Sequence, residues 1–176
     1  MAVLAIARMG HPILRQIARP VENIADADIQ RLIADMHETL ADSGGVGLAA
    51  PQVHASVRLF VYSVPQARSE GEDDPALPGQ VIINPEITPA DDEQVPRMEG
   101  CLSSPGLRGE GPRYRRVRYK GLDQHGQVVE GVATGFRAHV MQHEMDHLDG
   151  ILYPMRMTDL TRLGFDTEMI RYGARA

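Results

Sequence analysis

The 176-residue sequence is poor in several residue types that whole classes of function require. Its one cysteine, Cys101, cannot form a disulfide within the chain. Its one lysine, Lys120, does not stand in the G-x-x-x-x-G-K-S/T context of a phosphate-binding loop. No stretch approaches the roughly 18 consecutive apolar residues of a transmembrane helix. Basic residues are the minority, 18 against 24 acidic, for a net charge of −6. That balance disfavours generic or DNA-specific nucleic-acid binding, which wants a basic surface. What remains is 43% hydrophobic and 24% charged, the mix of an ordinary globular protein. The length suits a single domain over residues 1–176, and the lone thiol fits a reducing cytoplasm.

The acidic charge is concentrated. Residues 65–79 carry Glu70, Glu72, Asp73 and Asp74 among prolines and glycines, the composition of a solvated loop. Residues 89–99 hold Asp91, Asp92, Glu93 and Glu99. Residues 108–120 hold six basic residues against Glu110. A ribosomal RNA contact is one reading of that basic stretch. Pairing with the acidic segments of the same chain is the favoured one.

Periodicity predicts an α+β fold with strands packed around a central helix and a helical N-terminal region. Ile29, Leu32, Ile33, Met36 and Leu40 make one apolar helix face, with Asp26 or Asp28 able to cap its start and Gly44 or Gly45 its end. A shorter helix is expected after Pro12. The apolar residues 1–7 read as a first strand or extended edge, and lack the basic start of a signal peptide. Strands are expected at 58–64, 80–84, 114–122 and 127–134, the last two forming a hairpin about Asp123-Gln124-His125-Gly126. A second helix is expected over 135–149.

That second helix carries His143-Glu144-Met145-Asp146-His147, an HExxH match. Histidines at i and i+4 lie one turn apart on one face and can converge on one metal. The intervening glutamate can reach a water on that metal without being a ligand. Phe136, Val140, His143 and His147 form one stripe, so the histidines point toward the core. Two buried imidazoles satisfied by backbone groups are the plainer alternative, but an expensive one. A third ligand is needed. His139 is about 12 Å of helix rise from His147 and converges poorly with it, so it reads as a pocket wall or satisfied polar group. Cys101 is the better candidate, although a lone cysteine is ordinarily a small buried hydrophobe. Three protein ligands would leave a fourth position open, as in a catalytic site.

Three segments, in this order, resemble the signatures of the peptide deformylases of bacteria and organelles (type 1). They are GVGLAAPQ at Gly45–Gln52, EGCLS at Glu99–Ser103, and QHEMDHLDG at Gln142–Gly150. The likeness extends to Gly10-His11-Pro12, Leu14-Arg15 and Pro112-Arg113-Tyr114, and covers roughly residues 9–155. The resemblance implies removal of the formyl group from the formyl-methionine of nascent polypeptides. It implies that Cys101, His143 and His147 hold one divalent metal, iron(II) natively, with zinc or nickel possible in purified protein. It implies that Glu144 takes and returns a proton, and that the Gln52 amide and Leu102 N–H stabilise the oxyanion. Gly47 would let the peptide backbone approach, Val46, His139 and Val140 would line the methionine pocket, and Glu99, Gly100 and Arg108 would lie close by. An HExxH endopeptidase remains a second reading, but it has no use for Cys101 or GVGLAAPQ. A metal module without turnover is a third, with no use for Glu144 or Gln52.

Overall fold

The computed structural model describes residues 2–172. The expected first helix is α1, Ala27–Ser43, capped by the Asp26 carboxylate on the Asp28 N–H and ended by Gly44 at φ 64°. Next come β1 (Gly47–Ala49), a 3-10 turn at Ala50–Val53, and β2 (Leu59–Val64). Then follow β3 (Leu77–Pro89), β4 (Gln94–Gly100), β5 (Leu107–Tyr114), β6 (Arg116–Leu122) and β7 (Val128–Thr134). The chain continues into α2 (Gly135–Leu148), β8 (Gly164–Phe165) and α3 (Asp166–Tyr172). The strands form two antiparallel sheets, ordered β1-β2-β3-β6-β7 and β4-β5-β8.

Side-chain alternation explains the layering. Along β2, Phe60 and Tyr62 face one way and pack with Ala138, Val140, Met141 and Leu148 of α2. Leu59 and Val61 face the other way and pack with Ile33, Met36 and Leu40 of α1. The larger sheet is thus covered on both faces, which is why β2 opens as an apolar run, Leu59–Tyr62, rather than alternating.

Several expectations are refined. Residues 2–8 are extended but form no strand. Their donors go instead to the Asp35 carboxylate and Thr39 hydroxyl of α1, and to the Gln52 carbonyl. The helix after Pro12 is a single 3-10 turn, Pro12–Arg15. The expected strand at 114–122 begins at Arg116, because Tyr114 closes β5 and Arg115 turns between them. The β6–β7 hairpin forms as expected, with the Asp123 carboxylate accepting from the His125 and Gln127 N–H groups. The 65–79 segment is not uniformly solvated, since Asp74 is buried and β3 begins at Leu77. β4 and β5 went unanticipated, because prolines, glycines and charges interrupt their alternation.

Candidate metal centre and substrate cleft

The site lies where α2 passes between the two sheets. Gln142 fixes the helix to the end of β5: its side chain accepts from the Tyr114 N–H at 3.0 Å and donates to the Tyr114 carbonyl at 2.8 Å. The start of α2 is capped from afar. Thr134 offers it no side-chain bond, and the Asp74 carboxylate accepts from the Phe136 and Arg137 N–H groups at 2.9 and 3.3 Å.

The expected ligands converge. One donor atom from each of Cys101, His143 and His147 lies within 4.8 Å of the others. Cys101 Sγ is 3.2 Å from His147 Nε2. Burial would raise the Cys101 pKa, but the imidazoles of His147 and His143 hold it well below the ordinary thiol value. A thiolate and two imidazoles match the donor set of a zinc or iron site. Glu144 is buried, its Oε2 has no hydrogen-bond partner among the described residues, and burial raises its pKa to about 7 against the opposing pull of His143 and His147. A buried carboxylate oxygen left without a protein partner in the cleft of the ligand residues fits a site built for an ion and a reacting molecule.

His143 is oriented by its other nitrogen. Nδ1 lies 2.6 Å from Glu99 Oε2. Glu99 in turn receives two bonds from Arg113, at 2.7 and 3.0 Å. Burial would raise the Glu99 pKa, but nearby His139 and the bonds with His143 and Arg113 hold it far below the usual carboxylate range. Arg113 also meets Asp146 at 2.7 Å, and Asp146 meets Arg156 at 2.7 Å. Such outer partners fix ligand orientation. The sequence reading left Arg113 and Asp146 without a role, although both sit inside the quoted motifs.

Gln52 is held by its 3-10 turn, with Oε1 accepting from the Ala49 N–H at 2.8 Å. That bond fixes which way the amide points. Nε2 therefore faces the site, 3.1 Å from Ser103 Oγ and 3.5 Å from Cys101 Sγ.

A cleft of about 390 Å³ opens over these groups. It brings together every candidate except His147, which lies buried beneath it. Val46, His139 and Val140 form part of the wall, joined by Phe136 of the helix stripe and by Met98 and Arg68, which no motif marks. His139 is nearly buried, 3.6 Å from Glu99 and edge-on to Phe136. Arg68 lies over the Phe136 ring. Gly47 has a reason of its own: a Cβ there would collide with the Glu144 carboxylate.

The basic stretch is mostly paired. Arg115 meets Glu93 at 3.1 Å, Arg116 meets Asp91 at 3.4 Å, and Arg108 meets Asp166 at 2.7 Å. The first two pairs, with Arg113 on Glu99, are the pairing with the acidic segments that the charge pattern favoured, whereas Asp166 lies outside those segments.

Comparison with known proteins agrees with the geometry. Residues 3–163 match the polypeptide deformylase family. Peptide deformylase 1 of Bordetella pertussis is 48% identical over 94% of this chain and 93% of its own length. Peptide deformylase 2 of Ralstonia nicotianae is 46% identical over 94% of this chain and 92% of its own. A Met-Ala-Ser-bound class I type b peptide deformylase from Acinetobacter baumannii superposes with a TM-score of 0.81 at 40% identity, covering 89% of this chain and 99% of that one. On the family match and on identity sustained over nearly the whole length, the chain belongs to the polypeptide deformylases, metal-dependent hydrolases that remove the N-formyl group from nascent peptides.

Proposed function

We propose that the chain deformylates the N-terminal formyl-methionine of nascent polypeptides, with Cys101, His143 and His147 holding one divalent metal ion. The observation that carries this reading is buried Glu144, whose Oε2 has no hydrogen-bond partner among the described residues, in the same cleft as Cys101 and His143. When bound, the ion supplies Lewis acidity, polarising the formyl oxygen and making water nucleophilic at neutral pH. Glu144 takes the proton of the attacking water and passes it to the departing amine nitrogen. The Gln52 Nε2–H and the Leu102 backbone N–H donate to the developing oxyanion. The Ala49–Gln52 bond supports that role, because it keeps the amide nitrogen turned toward Cys101. Glu99 acts through His143 rather than through substrate, since its oxygens are committed to Arg113 and His143.

The methionine side chain enters between Val46, His139 and Val140. β1 and β4 are each an edge strand of their sheet, and the cleft is lined by Gly45, Val46 and Gly47 on one side and Met98, Glu99 and Gly100 on the other. An extended peptide backbone can lie along those edges. Iron(II) is the native ion in this reading, and zinc or nickel occupies the same donors when supplied. The enzyme works in the bacterial cytosol. No helix among the described residues is long and apolar enough to cross a membrane.

The test is formate release from a formyl-Met peptide, run without oxygen and with Fe²⁺ or Ni²⁺ supplied. Formate is expected. Cleavage of unblocked peptides without formate would overturn the reading in favour of an endopeptidase. Glu144→Ala should retain the metal and lose turnover by about 10²–10⁴-fold. Cys101→Ala should lose the metal itself, read by elemental analysis.

A further inference from the structure

The segment after α2 doubles back along β5. Glycine makes room for it: a Cβ at Gly109 would stand 2.5 Å from Met157 Sδ and 3.1 Å from Leu163 Cδ1. Arg162 binds Glu110 at 3.0 Å. β8 then pairs with β5 through Leu107 opposite Phe165 and Arg108 opposite Gly164. The next residue, Asp166, is delivered to the mouth of the cleft. Its N–H donates to the Gly106 carbonyl at 2.8 Å, and its carboxylate lies 2.7 Å from Arg108 Nε. Arg108 sits opposite Gly100 in the β4–β5 ladder, and Gly100 precedes Cys101. Both members of the pair line the same cleft as Cys101, and both keep solvent access, with side chains 45% and 33% exposed.

We propose that Asp166 is a specificity-determining residue, which caps the Arg108 guanidinium and turns the cleft against formyl-Met peptides carrying an acidic side chain just after methionine. The proposal rests on the deformylase reading above. An uncapped Arg108 would offer a planar pair of donors to a substrate carboxylate. The Asp166 carboxylate occupies one of those donors, Nε, and sets a negative charge beside the place a second or third side chain would pass. A basic or neutral side chain meets no such penalty. Because the pair is partly exposed, its influence is modest and sensitive to salt.

The experiment compares formyl-Met peptides carrying Ala, Glu or Lys at the second or third residue, with the metal-loaded full chain. For Asp166→Asn, the KM ratio of the Glu to the Ala peptide should fall about threefold to fivefold, while the kcat ratio holds. That change should shrink in about 0.5 M salt. Arg108→Ala should remove the gain that Asp166→Asn brings. Unchanged KM ratios, or one common factor across all three peptides, would overturn the proposal and leave Asp166 a structural clamp. Absence of formate from the Ala peptide with the unaltered chain would instead overturn the deformylase reading, so the two failures are distinguishable.

Discussion

Arg113 and Arg115 are two residues apart, and both pair with carboxylates from the acidic stretch before Cys101. Their situations differ sharply. The Arg113 side chain is 4% exposed and bridges Glu99 of β4 to Asp146 of α2. The Arg115 side chain is 56% exposed and meets only Glu93 at the surface. The same residue type and the same partner type yield a buried linchpin in one case and a solvated contact in the other. A buried pair is costly to break from one side, because the remaining charge is stranded away from water. An exposed pair is worth little, because water replaces the partner. The chemistry of the metal centre leans on the first kind and ignores the second.

The largest break in that comparison is Arg113→Met. It leaves buried Glu99 facing only histidines and Asp146 paired with Arg156 alone, and should destabilise the fold by about 3 kcal/mol, read by urea unfolding. Because Glu99 holds His143, metal retention should also fall, by about 10–100-fold. An intermediate case is Asp74→Ala, which removes the distant cap from α2. A loss of about 1 kcal/mol is expected in the same unfolding measurement. The smallest effect belongs to the surface pair of Arg97 and Glu70. The bond from Arg97 holds the Glu70 pKa below its ordinary value. With the folded pKa below the unfolded one, the stabilisation is complete above the unfolded value and fades as pH falls through the folded one. Glu70→Gln should therefore cost at most about 1 kcal/mol near neutrality and nothing in acid. A penalty that persists in acid would show that Glu70 acts by packing rather than by charge.

Much of this was legible from local pattern. The α1 face, its Asp26 cap, the β6–β7 hairpin and the HExxH helix all follow from spacing within one element. The donor set was legible too, because Cys101 is the only thiol and the two histidines share a turn. The rest depends on contacts distant in sequence. Asp74 caps a helix that begins some sixty residues later. Arg113 looks like any other arginine of a basic run until β5 is laid beside β4. Those two strands were themselves hidden, since Gly109 and Gly111 on β5 face the returning C-terminal chain rather than a core of their own. Local periodicity carries no signal for a partner that arrives fifty residues afterwards.

Gly47 closes the account from another direction. The space its missing side chain leaves is filled by the Glu144 carboxylate. The glycine thus makes room for the proposed base, quite apart from any peptide that enters. In a mutational landscape, position 47 and position 144 form a locked pair. Any larger residue at 47 must displace the carboxylate proposed to move the proton, and shrinking 144 to make room deletes it. A Cβ at position 47 and the Glu144 carboxylate in its present place compete for one space, so the two positions constrain each other directly, unlike Arg108 and Asp166 at the open mouth of the cleft.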